Sequence, residues 1–130
     1  DRLRVDLLAP AAGDEVGIVE IPELSTHAQT LPYLAFLLGE TQHSVVLGPG
    51  KAIPVRVPVA ERFAVHKLLV SQLRRGRDAK ADKDLAQAAV LLKCMAGRDA
   101  DAVYDALNAL PVSALGKVRA AAAGAGIVLE

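Results

Sequence analysis

Cations set inside two strongly apolar helical stretches constrain this chain more than any other feature. The first stretch is Arg62-Phe63-Ala64-Val65-His66-Lys67-Leu68-Leu69-Val70-Ser71 with Arg74 beyond it, and the second is Lys80-Ala81-Asp82-Lys83-Asp84-Leu85-Ala86-Gln87-Ala88. Two helical turns cover about seven residues, so Lys67 and Arg74 fall on one face, with Phe63 and Val70 beside them. Spacings of three and four bring Lys80, Lys83, Asp84 and Gln87 onto a shared face of the second helix.

Two readings of this block stand side by side. Val65, Leu68, Leu69 and Leu73 make an ordinary core stripe. Lys67 and Arg74 then lie at its edge, stems packed and heads in water. In the other reading the cations, one carboxylate and one amide face each other across the helix pair and form a pocket for an anion.

The segment Pro58-Val59-Ala60-Glu61-Arg62-Phe63-Ala64-Val65-His66-Lys67-Leu68-Leu69-Val70-Ser71, followed by Lys83-Asp84-Leu85-Ala86-Gln87-Ala88, resembles the C-terminal half of a bacterial nucleotidyltransferase-fold family of the polymerase-beta-like superfamily. The abortive-infection toxin nucleotidyltransferases are similar in outline, with a lysine-bearing helix and then a Lys-Asp pair. The resemblance covers roughly residues 2 to 95 and is most specific over 58–88. It implies a nucleoside triphosphate as donor, an acceptor it does not specify, and Lys67, Arg74, Lys80, Lys83 and Asp84 as nucleotide-binding residues. Asp84 would orient Lys80 or Lys83, or accept from a ribose hydroxyl.

At the beginning, Arg2-Leu3-Arg4-Val5-Asp6-Leu7-Leu8 alternates as a half-buried strand does. Its Asp6 is similar to the third catalytic carboxylate of the superfamily, where a Gly-Ser turn and an Asp-x-Asp pair come first. The resemblance thus implies Asp6 as a catalytic residue and a ligand of Mg²⁺ (or Mn²⁺), since hard divalent cations want clustered oxygens. From the residues alone, a solvent-facing strand aspartate is the competing reading. No Gly-Ser turn or Asp-x-Asp pair precedes Asp6. The chain begins at Asp1 rather than Met and is read as the C-terminal part of a longer protein, inactive by itself.

Composition narrows the function classes. With 130 residues the chain is about one domain long and can bury a core. Its 15 basic and 15 acidic residues cancel, so no global field draws in nucleic acid. Two Phe, two Tyr and no Trp make a poor stacking platform for a single strand. Nucleic acid is therefore a disfavoured partner. No continuous apolar run reaches the ~18 residues of a membrane span, and the cytoplasm is the expected compartment. Cys94, alone in Leu91-Leu92-Lys93-Cys94-Met95, is expected to be a small buried hydrophobe.

Organisation changes near Pro58. Residues 1–58 are expected to complete a nucleotidyltransferase core sheet, short and mixed, and residues 59–130 to form a helical region of about four helices. The fold class is α+β. Val16–Ile21 reads as a strand and Leu31–Leu38 as a short helix with Pro32 near its first turn. Ser44–Leu47 and Ala52–Val57 flank Gly48-Pro49-Gly50 as a hairpin, in which Pro54 requires an edge strand. The helices are expected over 59–75, broken at Gly76, then 79–96, 99–109 and 113–123, the last capped by Gly124.

Other chemistries find little to stand on. His27, His43 and His66 have no zinc-ligand spacing, and His66 reads as a core-edge histidine. Gly48-Pro49-Gly50-Lys51 lacks the Walker spacing. Two rivals to transferase activity remain: a relic that binds a nucleotide or protein without chemistry, and a toxin-type enzyme acting on RNA. Sequence does not reveal the oligomeric state.

Overall fold

The computed structural model describes residues 4–74 and 79–129. The chain divides into two compact units, one ending at Ala35 and one beginning at Phe36. The change from strand to helix comes later, between Pro58 and Ala60. The expected break at Gly76 lies outside the described residues.

The first unit holds a three-stranded mixed sheet of β1 (Leu8–Pro10), β2 (Ile18–Ile21) and β3 (Thr26–Leu31), in the order β1-β3-β2. β1 pairs parallel with β3, Leu8 opposite Gln29, and β2 pairs antiparallel with it, Ile18 also opposite Gln29. The central strand β3 carries little apolar signal in Thr26-His27-Ala28-Gln29-Thr30-Leu31, and the sequence reading passed over it. Only Ala28 on it is buried.

The first strand lies further along than its alternation predicts. Arg4 to Leu7 carry no strand; pairing enters at Leu7, whose carbonyl accepts from the Gln29 N–H at 2.9 Å, and β1 follows. Leu3-Val5-Leu7 alternation shows that a face can be covered, but burial needs a second layer, and Val5 is 72% exposed.

The boundary between units falls within α1 (Leu34–Leu38), shorter than the expected 31–38 because Pro32 and Tyr33 form a turn before it. In the second unit β4 (Thr41–Gly48) and β5 (Lys51–Pro58) form an antiparallel hairpin closed by Pro49-Gly50. Gly50 has φ of 65°, the left-handed conformation that the third position of a type II turn demands and that glycine adopts without strain. Both strands are edges, so Pro54, opposite Val45, leaves no ladder bond broken.

Four helices follow: α2 (Ala60–Leu73), α3 (Ala79–Ala96), α4 (Ala100–Asn108) and α5 (Val112–Gly124). α2 packs against each of the other three. Its Ala64, Val65, Leu68 and Leu69 are completely buried, as are Ala114 and Val118 of α5. This is where the core sits. Asp99 caps α4, its carboxylate accepting from the Ala102 N–H at 3.2 Å.

The end of α5 corrects the expected cap. Gly124 is still helical, and the left-handed residue is Gly126, with φ of 68°. The Gly126 N–H donates to the Ala123 carbonyl at 3.2 Å and the Ile127 N–H to the Ala122 carbonyl at 2.8 Å. Those two bonds form a Schellman motif, which needs the left-handed residue one place beyond the C-cap. Cys94 is a second correction: it is exposed. The buried row of α3 runs Ala81, Asp84, Ala88, Leu92, and two residues past Leu92 is about 200° around the helix.

Candidate functional site

An aspartate in that buried row must find charge partners, because an isolated carboxylate removed from water is very costly. Asp84 finds them on α2 and at its C-cap. Lys67 Nζ lies 2.7 Å from Asp84 Oδ1, and Arg74 Nε lies 3.0 Å from Asp84 Oδ2. The Asp84 side chain is 5% exposed, while Lys67 and Arg74 keep 24% and 32% of theirs. Lys67 of α2 and Arg74 at its C-cap thus share one anion of α3, and two positive charges against one negative leave an excess of one. Lys67 also sits over the Phe63 ring, 5.3 Å from its centroid.

The partners seen on Asp84 are Lys67 and Arg74 of the preceding helix and its cap, and not the Lys80 or Lys83 that the resemblance implies. Lys67 and Arg74 keep part of their side chains in solvent, and their heads meet at the carboxylate of Asp84. Lys80 and Lys83 are exposed. Lys83 and Gln87 line an open groove of about 510 Å³ with Phe63, Ala86, Val90 and Leu91.

In the first unit, Asp6 lines a different groove, of about 440 Å³, with Val5, Leu7, Gly17, His27 and Gln29. Its carboxylate pairs with Arg4 Nε at 2.9 Å and is 63% exposed. Gly17 at the rim is fixed by its N–H donating to Thr30 Oγ1 at 2.6 Å.

Residues 1–111 match a protein family described as nucleotidyltransferase. The chain belongs to the nucleotidyltransferase family. Comparisons with curated proteins and with solved structures return no match. The family region takes in the mixed sheet, the hairpin and α2 to α4 of this nucleotidyltransferase, and α5 lies past its end.

Metal chemistry in such a transferase needs grouped ligands. Among the described residues no three His, Cys, Asp or Glu side chains come together to hold an ion. Asp6 offers one carboxylate, already bridged to Arg4. The described residues alone do not make a metal site. Nor is any helix among them long and apolar enough to cross a membrane.

Sequence reasoning missed the part played by Arg62. Its guanidinium donates to the Phe36 carbonyl at 2.8 Å, lies 5.1 Å from the Phe36 ring centroid and approaches Glu40 at 3.5 Å. It ties the start of α2 to Phe36 of α1 and to Glu40 just before β4. Nothing in local spacing announces this, because Phe36 is 26 residues away and Glu40 is not much nearer. The pairing of Asp84 did leave a signal: an acid on the Ala81-Ala88-Leu92 stripe, opposite a helix with two cations seven apart.

Proposed function

We propose that this nucleotidyltransferase takes its nucleotidyl group from a nucleoside triphosphate, and that the α2–α3 cation cluster binds the phosphates. The observation that supports this is the uneven sharing of Asp84 by Lys67 and Arg74 at 2.7 and 3.0 Å. One buried carboxylate fixes two cations without cancelling them, and both keep part of their surface in solvent. Fixed positive charge stabilises the negative charge that builds on a departing pyrophosphate, and it needs no reorganisation when the bond breaks. Lys83 and Lys80, exposed on α3, add charge that no described carboxylate neutralises. Asp84 is a positioning residue in this scheme.

For Asp6 the resemblance supports a separate proposal, a carboxylate ligand for Mg²⁺ or Mn²⁺, an ion that would polarise phosphoryl oxygens when bound. The acceptor hydroxyl or other nucleophile is left open by this reading.

The test is pyrophosphate release by the full-length protein, with each of the four nucleoside triphosphates and Mg²⁺ or Mn²⁺, in the presence of pooled RNA, protein and small-molecule acceptors. Release that falls at least tenfold in Lys83→Ala supports the reading. Release unaffected by Lys83→Ala and Lys67→Ala together would remove the cluster from the reaction.

A further inference from the structure

The groove beside the cation cluster has a composition that phosphate binding does not require. Phe63 of α2 forms one wall, and Ala86, Val90 and Leu91 of α3 form an apolar floor. Lys83 and Gln87, one turn apart on α3, supply the polar edge. Val90 stays largely in solvent, an apolar side chain without cover in a groove of about 510 Å³. That volume is in the range of small-molecule sites, which are mostly apolar with a few placed polar groups.

Phe63 belongs to both features at once. Its ring borders the groove and stands 5.3 Å from the Lys67 ammonium, which in turn is held by Asp84. A ligand lying on the floor with an anionic tail toward Lys67 would have a flat apolar part and a charged part separated by about one side chain. A nucleotide has that build. Its base has a π-face for the ring and for the aliphatic floor, and stacking on an aromatic side chain tolerates any base. The Gln87 amide carries both a donor and an acceptor, which is what the hydrogen-bonding edge of a base presents in return.

Resting on the phosphate-binding reading above, we infer that the Phe63–Val90 groove is the seat of the nucleobase of the bound nucleotide, with Gln87 at the base edge. Charge complementarity selects this occupant over an apolar peptide or a second copy: the groove has Lys83 in its lining and the Lys67 ammonium against its Phe63 ring.

Calorimetric titration of the full-length protein with ATP and with inorganic tripolyphosphate separates the two parts of the ligand. Two variants carry the test. Phe63→Leu removes the ring and keeps an apolar side chain; Ala86→Leu, at an exposed helical position, fills the groove and leaves the cations untouched. The expected result is ATP bound at least tenfold more tightly than tripolyphosphate by the wild type, with that advantage lost in both variants and tripolyphosphate affinity unchanged within twofold. Should Phe63→Leu fail to fold, Ala86→Leu decides alone. Equal affinity for ATP and tripolyphosphate, unaffected by Ala86→Leu, overturns the base seat and leaves the phosphate site standing. Binding of neither ligand overturns both. Equal loss of both ligands in Ala86→Leu shows a groove that does not recognise the base and overturns the inference. So does a concentration-dependent dimer in sedimentation that Ala86→Leu abolishes, which would make a second copy the occupant.

Discussion

Lys67 and Asp84 stand 17 residues apart in sequence and on different helices, yet their charged atoms are 2.7 Å apart. Arg74 completes the cluster from seven residues further on, at the C-cap of α2. A buried carboxylate held by two partly solvated cations ties α2 to α3 and concentrates positive charge at the same place. Stability and ligand binding thus depend on the same side chains, and substitutions must be read on both scales.

Asp84→Asn keeps the shape of the side chain and removes its charge. The two cations then repel each other without an anion between them. Hydrogen bonds to charged groups contribute about 1.5–3 kcal/mol, and a loss of that order is expected. Urea unfolding should show a lower midpoint with an unchanged slope. A midpoint indistinguishable from wild type would mean that the cluster behaves like an exposed ion pair.

Lys67→Ala and Lys83→Ala should part company. Lys67 is paired and its stem is packed, so its loss is expected to cost about 1–2 kcal/mol of stability as well as triphosphate affinity. Lys83 is exposed, so its loss should leave stability within about 0.5 kcal/mol while lowering affinity about tenfold or more. Lys93→Ala is the control, roughly 15 Å further along α3. Equal affinity losses at Lys83 and Lys93 would show a diffuse charge effect and no defined seat.

Asp6→Asn in the full-length protein should abolish pyrophosphate release and leave thermal melting almost unmoved. Its side chain is 63% exposed and touches only Arg4 among the interactions seen here. A hard cation needs the anion that the substitution removes. Near wild-type turnover would exclude Asp6 as a ligand.

Val118→Ala tests whether α5, which lies past the end of the family match, is part of the core. Val118 is completely buried, and deleting two buried methyl groups should cost about 1–3 kcal/mol. Chemical denaturation measures it. A cost under about 0.5 kcal/mol would make α5 an appendage to a core formed by α2, α3 and α4.

What the sequence determined by itself was chiefly local. Helix limits at Ala60, Ala96 and Asn108 follow from apolar periodicity interrupted by Pro and Gly, and the Pro49-Gly50 turn follows from the one residue pair that suits it. These signals lie within a few residues of what they specify. The family resemblance was legible in the same way, from the block around Lys67 and Lys83.

Tertiary structure decided what depends on distant partners. β3 is central because β1 and β2 flank it, and nothing in Thr26–Leu31 states that in advance. Cys94 is exposed because the buried row of α3 is fixed by where α2 lies, not by the hydropathy of its neighbours. Asp84 is the sharpest case. Its helical face could be read from spacing, but which cations it would hold depended on the packing of α3 against α2, where a carboxylate leaving water requires the nearest positive charge to come with it.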